Sequence, residues 1–414
     1  MSAVLTHKSA CRVCRGAAMT KVLSFGPTPL ANAFLRADAP HESEPYFPLD
    51  AYLCKECGLL QLCDVVSPEV LFKDYVYVSS TSPVFVAHFR EFAEKICARF
   101  GLNRDSLVVD IGSNDGILLK PFRERGTKVL GVEPDRTIAA IARKNGVETV
   151  SEFFSPAVAE KIARKHGAAD VITATNVFAH IDDIHAFARG VKHLLKKGGV
   201  FIIEVPYLVD FLEKNLFDTV YHEHLSYFGL SALDAFFKRS GMTVIDAERI
   251  PTHGGSLRVF AQKKDTSRQA SAMVRRLIAA EKKRKIHEEK TYHAYALRIQ
   301  KNRAKLLALL ASLKEKGKSI AGYGAPAKGN TLLNYFSIGS EILNYIVDDS
   351  PHKQGKHTPG KRIPVVSAEE LRANPPDYLL ILAWNFAESI MRKNELFRKN
   401  GGKFIIPVPY PRVV

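Results

Sequence analysis

From Ser106 onward the sequence alternates short apolar runs with helical segments, and this alternation constrains the fold more than any other feature. The runs are rich in β-branched residues and read SLVVDIG, KVLGVEP, DVITATNVF and GVFIIEVP, starting at Ser106, Lys128, Asp170 and Gly199. Such runs separated by helices indicate βαβ units around a buried parallel sheet. Two further alternating runs, TVIDAERI and SLRVFAQKK, flank residues 251–255 and predict an antiparallel edge to that sheet.

A second alternating block follows Lys318, with the runs SIAGYG, EILNYIVDD, RIPVV, YLLILAW and KFIIPVP. It has its own glycine-rich turn, so it predicts a separate α/β domain. A chain of 414 residues is also longer than a single hydrophobic core usually supports. We therefore expect an α/β protein in four parts: a small N-terminal module at 1–70, a Rossmann-like central domain at 71–265, a helical connector at 266–317 and a Rossmann-like C-terminal domain at 318–414.

Four cysteines near the start form two close pairs, each with two residues between its members: Cys11 with Cys14, and Cys54 with Cys57. This spacing lets two thiolates reach one ion from a tight turn, and two such turns complete a tetrahedral site of four sulfurs that suits zinc. An iron–sulfur cluster is disfavoured because the spacing differs from a ferredoxin run. With every coordination position taken by protein, the predicted zinc is structural and folds a loop-rich segment.

The formal net charge of +16 is concentrated between Thr266 and Lys318, where 15 Lys and Arg face 4 Asp and Glu. Apolar residues recur there at helical spacing, which predicts a helix or helix pair with a solvated basic face rather than a nucleic-acid-binding stripe. The sequence has no long uncharged apolar run, and its start lacks the pattern of a secretion signal. We expect a cytoplasmic chain, monomeric or weakly dimeric, with no membrane or nucleic-acid partner.

A glycine-bearing turn follows the first strand of the central block, in LVVDIGSNDG. Gly112 and Gly116 allow close approach of a ligand, and Glu133 ends the next strand, where a carboxylate can accept both hydroxyls of a ribose. The turn lacks the closely spaced glycines that a pyrophosphate requires, which favours S-adenosylmethionine over a nicotinamide dinucleotide. The predicted cofactor contacts are Asp110, Gly112, Asn114, Asp115, Gly116, Glu133 and, after the third strand, Asn176.

The C-terminal turn GYGAPAKGN, residues 322–330, also follows a strand and opens a helix, an arrangement that suits phosphate. Lys328 adds a positive charge, and Asp348 and Asp349 end the next strand, where a ribose partner is expected. Taken alone, this turn keeps an NAD-dependent oxidoreductase as an alternative function. The cysteines and the basic charge keep a second alternative, a zinc-containing nucleic-acid-binding protein.

Together these motifs resemble the S-adenosylmethionine-dependent sugar C-methyltransferases that act on nucleotide-linked deoxysugars. The likeness covers nearly the whole chain and includes PLANAFL, DYVYVSSTS, DIGSNDG, GVEPD, NVFAHIDD, EVPYL, YHEHLSYF, HGGSLR and GYGAPAKGN. The resemblance implies a methyl-donor domain between a zinc module and a C-terminal Rossmann-like domain. It also implies methylation at carbon 3 of a thymidine-diphosphate-linked 4-keto-6-deoxyhexose, with no metal taking part in the chemistry.

Methylating carbon requires a base that removes a proton next to a ketone, and donors that stabilise the enolate. The segment YHEHLSY, residues 221–227, supplies such groups, and we predict His224 as the base with Tyr221 and Glu223 positioning it. Tyr75 and Tyr77 are predicted to close the pocket or to donate to the enolate oxygen. The resemblance adds candidate substrate contacts at His180, His253, Arg258, Tyr323, Lys328 and Asn330.

Overall fold

The computed structural model of the chain describes residues 4–40, 44–71, 83–266 and 268–414. Its N-terminal part has more regular structure than the predicted loop-rich segment, since β2 has 11 residues and β4 has 9 residues. The elements are β1 (Leu5–His7), β2 (Met19–Pro29), β3 (Leu35–Arg36), β4 (Tyr46–Cys54), β5 (Leu60–Leu62), β6 (Asp64–Val66) and α1 (Pro68–Leu71). Strands β2, β4 and β5 pair antiparallel, and β1 pairs with β6.

The central part alternates strands and helices. Its elements are α2 (Pro83–Phe100), β7 (Leu107–Ile111), α3 (Leu119–Glu124), β8 (Lys128–Val132), α4 (Arg136–Lys144), β9 (Thr149–Val150), α5 (Pro156–His166), β10 (Ala169–Thr175), α6 (Ile184–Leu194), β11 (Leu195–Pro206), α7 (Leu208–Glu213), β12 (Ser226–Tyr227), α8 (Leu230–Arg239), β13 (Met242–Ile250) and β14 (Ser256–Lys263). Side chains of Asp135, Ser155 and Asp183 accept backbone N–H groups in the first turns of α4, α5 and α6, which explains where these helices begin.

Seven strands form the central sheet in the order β13-β14-β11-β10-β7-β8-β9. Strands β9, β8, β7, β10 and β11 are parallel, and β14 lies antiparallel between β11 and β13. This confirms the predicted parallel sheet and its antiparallel end. All five residues of β7 are buried, because helices cover both faces of the sheet. The strand order reverses between β7 and β10, so their carboxyl ends form the crevice where ligands of open α/β sheets bind.

The helix pair predicted from the basic segment is present as α9 (Ala272–Lys283) and α10 (Glu289–Glu315). One face of α10 is buried through residues that include Tyr292, Tyr295 and Leu306, whereas Lys301 and Lys305 are exposed. No helix within the four described ranges is both long enough and apolar enough to cross a membrane.

The C-terminal part holds a second sheet. Its elements are β15 (Ile320–Tyr323), α11 (Ala327–Phe336), β16 (Ile346–Val347), β17 (Lys356–His357), β18 (Val365–Val366), α12 (Ala368–Ala373), β19 (Tyr378–Ile381), α13 (Ala387–Lys393), α14 (Glu395–Lys399), β20 (Lys403–Ile406) and β21 (Arg412–Val413). The sheet order is β18-β16-β15-β19-β20-β21, parallel except for β21.

Two short pairings join the N-terminal part to the rest of the chain. Strand β12, from the central part, adds to β5 as the fourth strand of the N-terminal sheet, and β17, from the C-terminal part, pairs with β3. The first pairing is important for the site, because β12 lies within the YHEHLSYF motif. The N-terminal sheet therefore holds the segment that carries His224.

Candidate active site

The four predicted metal ligands lie together. The sulfur atoms of Cys11, Cys14, Cys54 and Cys57 all lie within 4.8 Å of one another. The Cys11–Cys57 and Cys14–Cys54 sulfur separations are 3.5 and 3.4 Å. A tetrahedral zinc site with bonds of ~2.3 Å has sulfur–sulfur separations of about 3.8 Å, so the donor set and its size suit zinc. None of the six cysteines is in a disulfide, so all four thiols are available as ligands.

The predicted cofactor turn adopts a conformation that depends on glycine. Gly112 has a φ of 70°, and a Cβ on it would lie 2.4 Å from a methyl carbon of Val177. Val177 follows β10, so the loop after that strand packs directly over the turn. Both carboxylate oxygens of Asp115 are buried and lack a hydrogen-bond partner among the described residues. Because a buried carboxylate without a partner is costly, Asp115 is a clear candidate to receive donors from a ligand.

Asp110 and Glu133, the acidic residues predicted to contact the cofactor, have different hydrogen-bond partners. Asp110 accepts a hydrogen bond from the Thr173 hydroxyl at 2.6 Å, and burial raises its pKa to about 7. Glu133 accepts the backbone N–H groups of Asn114 and Asp135, each at 3.0 Å, and burial raises its pKa. Glu133 therefore also shapes the turn on which the cofactor is predicted to bind.

Asn176 lies at the crevice between β7 and β10, directly after β10. It has a φ of 58°, and its backbone N–H donates to the Glu204 carbonyl at 2.8 Å. Its side-chain oxygen is buried with no hydrogen-bond partner in the described ranges. A left-handed conformation together with an unsatisfied buried amide is typical of a residue placed for a ligand.

Tyr221 and His224 form a directed hydrogen-bond pair. His224 Nδ1 lies 2.8 Å from the Thr219 carbonyl oxygen, and its Nε2 lies 2.8 Å from the Tyr221 hydroxyl. Because a carbonyl can only accept, Nδ1 carries the proton and Nε2 accepts from Tyr221. Burial, with a smaller effect from His180, lowers the pKa of His224 well below its usual value. At neutral pH the imidazole is therefore uncharged, with its basic nitrogen directed at Tyr221.

Three further predicted residues surround His224. The His180 ring packs edge-on against it, with the centroids 4.9 Å apart. The Lys328 ammonium lies 3.5 Å from the carbonyl oxygen of His253 and 5.0 Å from the centre of the Trp384 ring. Burial lowers the pKa of Lys328 to about 8, although nearby Asp218 opposes this shift. The central and C-terminal parts thus bring a neutral imidazole and a buried cation close enough to interact electrostatically.

Glu223 does not share the environment of its neighbour His224. Its carboxylate accepts both of its described hydrogen bonds from the Asn32 side-chain amide, at 2.8 and 3.0 Å, and burial raises its pKa to about 7. Asn32 belongs to the PLANAFL motif of the N-terminal part. The described contacts of Glu223 therefore link that part to the His224 segment. Tyr75 and Tyr77 lie outside the described residues.

The remaining predicted substrate contacts already have protein partners. Arg258 donates to Glu204 at 2.7 Å and to Glu248 at 3.2 Å. The Asn330 amide donates to the Ala31 carbonyl at 2.7 Å, and its side-chain oxygen is buried without a described partner. Tyr323 is buried, with its hydroxyl 3.5 Å from a carboxylate oxygen of Asp349.

Sequence reasoning missed a buried cluster at the end of β11. Glu204 is fully buried, pairs with Arg258 at 2.6 Å and lies 3.0 Å from the His88 ring. The available signal was a carboxylate in the otherwise apolar run GVFIIEVP. Asp218 and Trp384, which are hydrogen-bonded to each other next to Lys328, were also missed.

Comparisons with known proteins cover these same regions. Residues 11–72 match the family model described as "Putative zinc binding domain", residues 85–247 match "Methyltransferase domain", and residues 251–409 match "C-methyltransferase C-terminal domain". C-methyltransferase NovU of Streptomyces niveus is 42% identical, over 98% of this chain and 96% of that protein. A ubiquinone biosynthesis O-methyltransferase of Bartonella quintana is 25% identical, over 40% of this chain and 73% of its own length. The solved PH0226 protein of Pyrococcus horikoshii is similar over 48% of this chain and all of that one, with 13% identity and a TM-score of 0.38.

Proposed function

This chain belongs to the C-methyltransferase family, and from that premise we propose that it methylates carbon 3 of a nucleotide-linked 4-keto-6-deoxy sugar, with S-adenosylmethionine as the methyl donor. The nucleotide proposed is thymidine diphosphate. The observation that carries the proposal is the Thr219–His224–Tyr221 hydrogen-bond series, which presents a neutral, buried base. A carbon acid next to a ketone requires such a base.

In the proposed reaction His224 Nε2 takes the proton from the carbon beside the ketone, and the released electron pair moves onto the ketone oxygen as an enolate. When bound, S-adenosylmethionine would supply a methyl group carried on a positively charged sulfur. The enolate carbon would bond to that methyl carbon as the sulfur–methyl bond breaks, and the bonding electron pair would stay on the sulfur as a neutral thioether. Thr219 holds the imidazole in the tautomer whose Nε2 is free of hydrogen. Burial of the cleft keeps that nitrogen uncharged, so it is ready to accept the proton.

The methyl donor is proposed to bind at the crevice between β7 and β10. Asp115 and Asn176, with their unpartnered buried oxygens, would accept from the amino group and hydroxyls of the donor, and Glu133 would take the ribose. The loop that carries Val177 connects this crevice to the proposed base, His224. Val177 covers Gly112, and His180, three residues later, packs on His224. The proposed contacts are Asp110, Gly112, Asn114, Asp115, Gly116, Glu133 and Asn176.

The sugar nucleotide is proposed to lie between the central and C-terminal parts. Lys328 lies in the first turn of helix α11, and His253 and Trp384 lie against its buried ammonium. A buried cation at a helix N-terminus is well suited to a diphosphate. His180, Tyr323 and Asn330 complete the proposed contacts, whereas Arg258 would act by holding Glu204. Four domains with the limits 1–70, 71–265, 266–317 and 318–414 are part of this proposal.

The oxidoreductase alternative has less support than the methyltransferase proposal, because the chain belongs to the C-methyltransferase family. Asp348, which would take the ribose of a nicotinamide dinucleotide, accepts the backbone N–H groups of Ala325 and Ser350 at 2.7 and 2.8 Å. Asp349 is paired with Lys393 at 2.6 Å.

Paired substitutions test whether the two nucleotides bind separately. Glu133→Ala should weaken S-adenosylmethionine binding by about 10- to 100-fold, because hydrogen bonds to a charged group are lost, and leave thymidine diphosphate binding nearly unchanged. Lys328→Ala should weaken thymidine diphosphate binding and leave S-adenosylmethionine binding nearly unchanged. Calorimetry with each ligand measures both effects, with thermal unfolding as the folding control. Loss of both ligands from either folded variant would contradict two separate sites.

Binding of the nucleotide should also depend on pH through Lys328. Its pKa is lowered to about 8, so the ammonium is charged below that pH and loses its charge above it. The Michaelis constant for the sugar nucleotide should therefore rise as the pH increases through about 8. Lys328→Arg, which keeps its charge over this range, should remove the rise. A rise that persists unchanged in Lys328→Arg would show that another group causes it.

A further inference from the structure

A cavity of about 410 Å³ lies where the N-terminal part meets helices α6 and α8. Three arginines line it: Arg15 from the first cysteine turn, Arg189 from α6 and Arg239 from the end of α8. None of the three forms an ion pair with a carboxylate in the described parts of the chain. Three cations that converge on one concavity without acidic partners favour an anionic ligand.

The surrounding groups limit what the ligand can be. Ser240 and His185 also line the cavity, and the His185 Nε2 atom is buried with no hydrogen-bond partner among the described residues. Burial is the main factor that lowers the pKa of His185, so its ring is neutral and adds hydrogen bonding rather than charge. Among the described residues, no Phe, Tyr or Trp lines the cavity, so these residues offer no ring on which a nucleobase could stack. These groups fit a compact anion with several oxygens.

The negative charge of the nearby metal site limits how tightly the cavity can bind an anion. A zinc ion with four thiolates carries a net charge of −2, and Cys14 itself lines the cavity. Arg239 donates to the Cys14 carbonyl at 3.0 Å, so part of the positive charge offsets the metal centre. Glu56 is a further local acid, because its carboxylate lies beside Gly16. The three guanidinium groups balance the summed charge of the metal centre and Glu56, so an anion would be held by forked hydrogen bonds rather than by an excess of positive charge.

We propose that this cavity is a binding site for a diphosphate group, separate from the reaction cleft. Pyrophosphate has the size and the oxygen count that the forked donors of three guanidinium groups and a hydroxyl can meet together. The group could arrive as free pyrophosphate or as part of a nucleoside diphosphate. Since the lining comes from three separated segments, a bound diphosphate would cross-link the zinc module to α6 and α8 and stabilise their docking.

The test is calorimetric titration of the full-length, zinc-loaded protein with inorganic pyrophosphate. The proposed reaction cleft can also take a diphosphate, so titrations are run in the wild-type and Lys328→Ala proteins. Arg189→Ala is the main variant, because Arg189 is exposed and no hydrogen bond of its side chain is found in the described ranges. Arg276→Ala on α9 is the matched control, since Arg276 is likewise exposed. Thymidine diphosphate and thymidine monophosphate are titrated in parallel.

We expect pyrophosphate to bind to Lys328→Ala, to bind about tenfold more weakly when Arg189→Ala is added, and to be unaffected by Arg276→Ala. Equal affinity for pyrophosphate and thymidine diphosphate would identify the diphosphate as the recognised group, whereas tighter binding of pyrophosphate would identify the free anion. Pyrophosphate should also raise the unfolding temperature, less so in Arg189→Ala.

Three results would overturn the proposal. Loss of all pyrophosphate binding in Lys328→Ala would place the binding in the reaction cleft. An unchanged affinity in Arg189→Ala would show that the cavity is not the site. If pyrophosphate fails to bind and Arg239→Gln releases zinc faster, the arginines only offset the charge of the metal centre.

Discussion

Replacing His224 by Asn is expected to lower turnover by about 10²–10⁴-fold, the usual effect of removing a general base. Asn lacks a basic nitrogen but is close in size to the imidazole ring, so both ligands should still bind. Single-turnover kinetics measure the chemical step, and calorimetry measures the binding. His222→Asn is the matched control: it lies two residues away and is buried, but its ring contacts the carbonyls of Phe47 and Pro48. That variant should lose stability without a comparable loss in turnover.

The Tyr221 hydroxyl occupies His224 Nε2 in the structure, so the route of the proton needs its own variant. If the substrate displaces the hydroxyl, Tyr221→Phe should leave turnover near the wild-type value. If the hydroxyl passes the proton on to His224, Tyr221→Phe should be nearly as slow as His224→Asn. Near wild-type rates in folded His224→Asn would contradict the assignment of the base, and Tyr221 and Tyr75 would be the next candidates.

Replacing Cys54 by Ser is expected to remove the bound zinc and unfold the N-terminal part. Structural zinc contributes roughly 10–16 kcal/mol to the folding of small zinc peptides, more than a loop-rich module can replace. Elemental analysis should find one zinc per wild-type chain and much less in Cys54→Ser. Limited proteolysis should cut the variant within residues 4–71.

The same substitution should also lower turnover, although the proposed reaction does not use zinc. Strand β12 pairs with β5, and Asn32 holds Glu223, so the His224 segment depends on the zinc-bound sheet. Cys63→Ser is the control, because Cys63 is equally buried but lies outside the group of four sulfurs. It should keep its zinc and most of its activity. A Cys54→Ser protein that retains one tightly bound zinc would refute the assignment of the ligands.

Local patterns were sufficient to predict the sheets and the metal ligands. Apolar runs such as LVVDI form buried parallel strands because both sheet faces are covered, and the spacing of two residues within each cysteine pair fixes how the thiols converge. The pairing of Tyr221 with His224 lies within four residues, so it was also within reach of sequence reasoning.

Contacts between distant segments were not predictable in this way. Strand β12 has only two residues, and its place in the N-terminal sheet depends on the docking of whole domains rather than on its own pattern. Glu204, His88 and Arg258 are far apart in sequence, so a single chain gives no sign that they meet. Glu223 was predicted to position His224, yet its described contacts are with Asn32, almost two hundred residues earlier. Neighbouring side chains in an irregular segment contact different partners, and only the fold determines which partner each side chain contacts.

The proposed reaction is tested most directly by incubating the protein with S-adenosylmethionine and a panel of nucleotide-linked ketosugars, then analysing the products by mass spectrometry and NMR. The proposed reaction predicts a product heavier by one methylene unit, with the new methyl group on carbon 3 of a thymidine-diphosphate-linked 4-keto-6-deoxyhexose. It also predicts that the hydrogen at that carbon exchanges with deuterated water when a non-methylating analogue of the donor is bound. A methyl group found on oxygen or nitrogen, or no transfer to any ketosugar in the panel, would contradict it.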